Sequence, residues 1–237
     1  MSEQKKKGPG ALILLAVGIL LLCGALIFFL VKQGVIGGGK DPAKTTTDSE
    51  NTATSASETE KAAEPVRILS QEELAKLPFE EAAASAVKSF LALYQNCDPK
   101  AGEYISGMSE IEFPGIQAVI AKSMSFTVSE SRTERSDDGT ERAVLQAVIE
   151  TVSFKDGYEE ALQSLPEGAE AEKVLEAVSK KLEEIAGSKR TQFTLEIQVL
   201  DNVNSRKLLM TAELSDALTG GLMSYMAEQT AGGEKND

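Results

Sequence analysis

The sequence predicts an α+β fold in which an antiparallel sheet packs on helices, is interrupted by a helical insert and is preceded by a single transmembrane helix. Three observations carry that expectation. Ala11 to Val31 is an uninterrupted apolar run of 21 residues. Apolar residues then recur at helical spacing between Pro78 and Met124. From Ser125 the period changes from 3.6 to 2, and two long alternating stretches flank a second helical segment.

The apolar run comes first. At ~1.5 Å per residue it makes a helix ~31 Å long, matching the ~30 Å hydrocarbon core of a bilayer. Lys5, Lys6 and Lys7 precede it, whereas Lys32 stands nearly alone behind it. Positively charged flanks stay on the cytoplasmic side, so residues 1–10 are expected inside and the C-terminal domain outside, as a single-pass protein of the cell membrane whose partner over Ala11 to Val31 is lipid. A cleaved secretory signal fits less well, because its apolar region is shorter and ends in small residues. A lipoprotein signal with Cys23 as the acylated residue also fits less well: Leu22 stands where a small residue is needed, and apolar residues continue beyond the cysteine.

Residues 32–65 follow as a Thr-, Ser-, Glu- and Ala-rich stretch without an aromatic residue. Such a composition cannot bury enough apolar surface to offset ordering entropy, and a disordered stalk is expected. The formal charge of -13 falls entirely on residues 66–237, which hold 17 basic and 30 acidic residues. That balance repels nucleic acid and excludes it as a partner.

One domain is expected over residues 66–229, with 230–237 as a frayed tail. Ser70 to Glu73 is a capping box, and Leu77-Pro78 interrupts the short helix that it starts. Pro78 opens a longer helix in which Ala83, Val87, Phe90 and Tyr94 share one face. Asp98 and Pro99 have the character of an N-cap and first helical residue, with Ala101, Tyr104 and Ile105 facing inward. A third helix begins near Pro114. Phe126 and Val128 then alternate with polar residues, Asp137-Asp138-Gly139 reads as a hairpin turn, and Thr140 to Phe154 reads as the return strand. Both faces of that strand are apolar, Val144, Val148, Val152 and Phe154 on one and Ala143, Leu145, Ala147 and Ile149 on the other, so cover is expected on both sides over part of its length. Tyr158 to Leu165 and Ala169 to Ala186 form the helical insert. Phe193 to Val199 and Lys207 to Leu214 make a second hairpin, and Ser215 or Asp216 caps a last helix bearing Leu218, Leu222, Tyr225 and Met226.

This order of elements resembles the NTF2-like (cystatin-like α+β) superfamily, in which a curved antiparallel sheet wraps around helices to form a cone with one open mouth. AAASAVKSFLALYQNCDPKAGEYISG resembles the first two helices of many such chains, with an aromatic-bearing first helix and a second that opens on Asp98 and carries Ala101 and Tyr104, Gly102 standing where Ala is common. SDALTGGLMSYMAE is similar to the closing segment of uncharacterised extracytoplasmic domains of unknown function in Gram-positive bacteria. Where many relatives have a Gly-Lys-Trp turn into the last strand, this chain has Asn204-Ser205-Arg206-Lys207 and contains no Trp.

The chemistry is bounded by what is missing. The chain has no histidine, which removes Ser-His and Cys-His machinery and the usual zinc and iron ligand sets. Cys97 has no His to activate it and reads as a half-buried helix-end residue. The resemblance implies a candidate catalytic set inside the cone, Tyr94 or Tyr104 with Glu150 or Glu196, because a carboxylate in an apolar cone would have a raised pKa and could act as a base. The plainer assignment puts both tyrosines in the core and both glutamates on the solvent face. Asp137 to Glu141 and Asp201 to Asn204 lack the fuller calcium-loop spacing and read as turns. No cofactor or metal is expected. The sequence therefore points to a non-catalytic, membrane-anchored extracytoplasmic module binding a surface protein or small ligand, the alternative being an enzyme of the isomerase or dehydratase type.

Overall fold

The computed structural model describes residues 66–135, 141–166, 168–202 and 205–232, and a compact unit begins at Val66. In chain order it contains α1 (Gln71–Leu74), α2 (Phe79–Gln95), a 3₁₀ helix (Pro99–Tyr104), α3 (Gly115–Ser123), β1 (Ser125–Arg135), β2 (Glu141–Val152), α4 (Phe154–Ser164), α5 (Ala171–Ile185), β3 (Arg190–Asn202), β4 (Ser205–Leu208), α6 (Ala212–Leu218) and α7 (Leu222–Gly232).

The membrane part of the expected architecture is corrected. The fold is a mixed α/β one with an antiparallel sheet, and no helix among the described residues is long and apolar enough to cross a membrane. Ala11 to Val31, Cys23 and the 32–65 stretch lie outside the described residues. The single-pass assignment, the cytoplasmic N-terminus and the cell-surface location that followed from that run are not supported by any described helix.

Local chemistry explains most element ends. Ser70 and Glu73 close the capping box of α1 reciprocally. Pro78 occupies the N-cap of α2, whose Ala83, Val87, Phe90 and Tyr94 are all buried. Asp98 caps the next helix with Pro99 at its first position, but the six residues form 3₁₀ turns. Phe154 begins α4 instead of ending β2, because the Ser153 hydroxyl accepts the Asp156 N–H as an N-cap. After β4 the chain turns helical at Ala212, where Thr211 caps α6 by accepting the Leu214 N–H. Asp216 lies inside α6 and caps the following helix: its carboxylate accepts from both the N–H and the hydroxyl of Ser224. Gly220 and Gly221, both at positive φ, make the turn between the two.

The sheet is an antiparallel meander in the order β1-β2-β3-β4. β2 and β3 pair without a break from Arg142↔Leu200 to Val152↔Arg190. Ala143, Leu145, Ala147 and Ile149 of β2 share the inner face with Leu195, Ile197 and Val199 of β3, and they join α2 and α6 residues such as Phe90 and Leu214 in one core. Each such fully buried large side chain contributes about 1.5–3 kcal/mol. A second buried group lies outside that core, where Phe154, Tyr158 and Tyr225 pack ring against ring at 5.7–6.1 Å and Val174, Val178, Leu182 and Ile185 line α5. Gly157 lets α4 approach Leu182 of α5, at a place where a Cβ would come within 2.4 Å of the leucine side chain.

Candidate functional site

The two candidate tyrosines are fixed by the core. Tyr94 is 2% exposed; its hydroxyl donates to the Leu218 carbonyl at 3.0 Å and accepts from Gln117 Nε2 at 3.0 Å. Burial pushes its phenol far above the ordinary value. Tyr104 is 3% exposed and donates to the Leu69 carbonyl, with its pKa also raised, first by burial and then by the nearby Glu103 charge. Both hydroxyls are engaged with protein partners and hold secondary elements together.

The two glutamates lie on the other side of the sheet. Glu150 alternates with the core residues Ile149 and Thr151, and Glu196 with Leu195 and Ile197, so both project from the outer face. There they belong to two charge networks. Arg132 of β1 makes a bidentate pair with Glu196 of β3 at 2.9 and 3.0 Å, reaching across β2, while Gln146 of β2 donates to the same carboxylate at 2.9 Å. Arg132 Nε also donates to Glu134 at 2.9 Å. At the other end, Arg190 pairs with Glu150 at 3.1 Å and donates to Ser125 Oγ at 3.1 Å and to the Glu150 carbonyl at 3.0 Å. The Arg132 guanidinium holds the Glu196 carboxyl below its usual range, the opposite of what a general base facing an apolar cone requires. The sheet thus separates the four candidate residues and brings no Glu-Tyr pair together.

The arginines were not among the residues singled out from the sequence, and β1 shows why. Alternation continued from Phe126 and Val128 turns Arg132 inward. The pairing register shifts between Val128↔Ala147 and Ser131↔Leu145, so Ser129 and Glu130 oppose the single residue Gln146. This β-bulge adds one residue to β1 and brings Arg132 to the outer face opposite Val144. A charged residue at an inward parity was the available signal of that bulge. Val144 itself is only 2% exposed, flanked across the strands by Arg132 and Gln198, whose long side chains can cover it while their polar ends stay in water. Val144 therefore does not require a layer of helices over it, whereas Val152 at the other end of the same face is fully buried.

Of the remaining candidates, Asp201 and Cys97 sit in contacts within the fold. Among the described residues no group of three or more Cys, Asp or Glu side chains could hold a metal ion. Asp137 to Thr140 lie outside them, and Asp201 is paired with Arg206. Cys97 is half-buried at a φ of 54°, with Sγ 3.7 Å from the Ala118 carbonyl oxygen, and burial raises its thiol pKa, the wrong direction for a reactive thiolate. Comparison of the chain with family models, with curated proteins and with solved structures finds no match.

Proposed function

We propose that the domain is a non-catalytic binding module that engages a protein partner through the outer face of its sheet. The observation that carries this reading is the Arg132–Glu196–Gln146 network, which joins three strands on an exposed face. Hydrogen bonds across a rigid sheet hold these polar groups in fixed positions before any partner arrives. Three of the six arginines in the chain, Arg132, Arg142 and Arg190, lie on this face, although the protein as a whole is strongly acidic. Arginine is enriched in protein interfaces. Small-ligand sites, by contrast, are concave and mostly apolar, whereas this face carries charged and polar side chains on three strands, with valines of β2 between them. The alternative of an isomerase or dehydratase lacks a converging Glu and Tyr.

A photo-crosslinking residue at Thr194, exposed on this face, tests the reading against the same residue at Glu176 on α5. The expected result is one recurrent protein adduct from position 194, absent from position 176 and lost in the Arg132→Glu chain. Equal adducts from both positions, or an adduct indifferent to Arg132→Glu, would discard it.

A further inference from the structure

The outer edge of β4 is covered by side chains and loop, in contrast to a sheet edge left open for pairing. The Gln71 side-chain amide takes both outward backbone groups of Arg206: the Arg206 N–H donates to Oε1 at 3.0 Å and Nε2 donates to the Arg206 carbonyl at 3.4 Å. Two residues along, the Ser106 N–H donates to the Leu208 carbonyl at 2.9 Å, within a parallel bridge between Ile105 and Leu208. The amide of Gln71 therefore stands where the backbone of a fifth strand would.

The segment that carries Gln71 is held at a few points. The Leu69 N–H donates to the fully buried Ser89 hydroxyl at 3.1 Å, and the Leu69 carbonyl accepts from Tyr104. Leu74 is the residue of the segment that is fully buried in the core. Val66 and Ile68 are 39% and 44% exposed, and α1 has only four residues, a length at which helix is marginal without tertiary support. Pro78 separates α1 from α2, so the two cannot merge into one helix and the segment stays distinct from α2.

We infer that residues 66–77 form a releasable strap whose seat, built from Ser89, Tyr104 and the Arg206 edge of β4, accepts the same segment from a second copy of the chain. The seat recognises its occupant through one extended residue with both backbone groups bound, an amide two residues later and a leucine three residues beyond that. An identical segment satisfies each of these contacts, and exchange of identical elements between copies is a low-cost route to association. A strap seated in its own chain competes with one arriving from outside. Its opening therefore sets the apparent affinity for the second copy.

The test uses the full chain and a fluorescent peptide of residues 65–77, read by anisotropy. Gln71→Ala in the protein weakens its own strap and leaves the seat intact, so it is expected to bind the unaltered peptide about tenfold more tightly than the parent chain does. Adding Ser89→Ala and Tyr104→Phe to that protein is expected to abolish the gain. A peptide that itself carries Gln71→Ala is expected to bind the Gln71→Ala protein more weakly than the unaltered peptide, an arm that adds no further change to the protein. No gain in the Gln71→Ala protein, or binding indifferent to the peptide's own Gln71, overturns the proposal.

Discussion

Tyr94 shows how one buried hydroxyl ties distant parts of the chain together, since it joins α2 to the Leu218 carbonyl at the end of α6. Tyr94→Phe leaves that buried carbonyl without its donor and is expected to cost about 1–2 kcal/mol in chemical denaturation. Because burial raises its pKa, the neutral phenol's contribution is complete below the ordinary tyrosine value of 10. It is lost as pH rises from there through the higher folded value. The parent protein should therefore lose stability more steeply than Tyr94→Phe in alkaline denaturation. Glu196 works in the opposite direction. Its carboxyl is lowered by the Arg132 hydrogen bond, so its contribution is present above the ordinary carboxylate range and disappears as pH falls through the lowered value. The expected signature is a difference in Tm between the parent and Glu196→Gln that is present at neutral pH and vanishes in acid. A difference that persists in acid would remove ionic pairing as the cause.

At the level of elements, the turn from α6 to α7 makes the sharpest demand on residue type. Gly220 and Gly221 have φ of 67° and 85°, but only at Gly220 would a Cβ meet backbone, the Val152 carbonyl oxygen at 2.7 Å. A left-handed conformation costs a non-glycine residue roughly 1–2 kcal/mol. Gly221→Ala is expected to lose about that much in thermal denaturation, and Gly220→Ala clearly more; equal losses would show that the close approach to Val152 is unimportant. The turn also marks where sequence reading stops. The face of α2 was legible because Ala83, Val87, Phe90 and Tyr94 repeat at helical spacing, and the α1 and 3₁₀ starts were legible because Ser70, Glu73, Asp98 and Pro99 act on neighbours within three residues. Residue type makes Ser215 or Asp216 the cap of a helix beginning beside them, whereas both lie inside α6 and Asp216 caps a helix across the Gly-Gly turn. Phe154 continued the parity of β2 but belongs to α4, because a local cap at Ser153 overrides periodicity. The candidate site was legible only in part: residue types placed the tyrosines and glutamates, but which side of the sheet each occupies depends on cross-strand register.

At the level of the whole molecule, the sheet has two ends defended by different means. β4 is covered by Gln71 and Ser106, whereas β1, eleven residues long, carries the bulge at Ser129-Glu130 and the charges of Arg132, Glu134 and Arg135. Removing Ser129 would leave one residue opposite Gln146, so the pairing of residues 131–135 with β2 and the reach of Arg132 to Glu196 would both survive. A β1 without the extra residue is straighter, and straight edges template pairing between chains. The Ser129 deletion is therefore expected to retain the fold and the outer-face ion pairs yet to show concentration-dependent light scattering; a variant as well dispersed as the parent would remove the bulge from that role. One surplus residue, costless to the charge pattern, would then be what sets the concentration at which solutions of this protein stay clear.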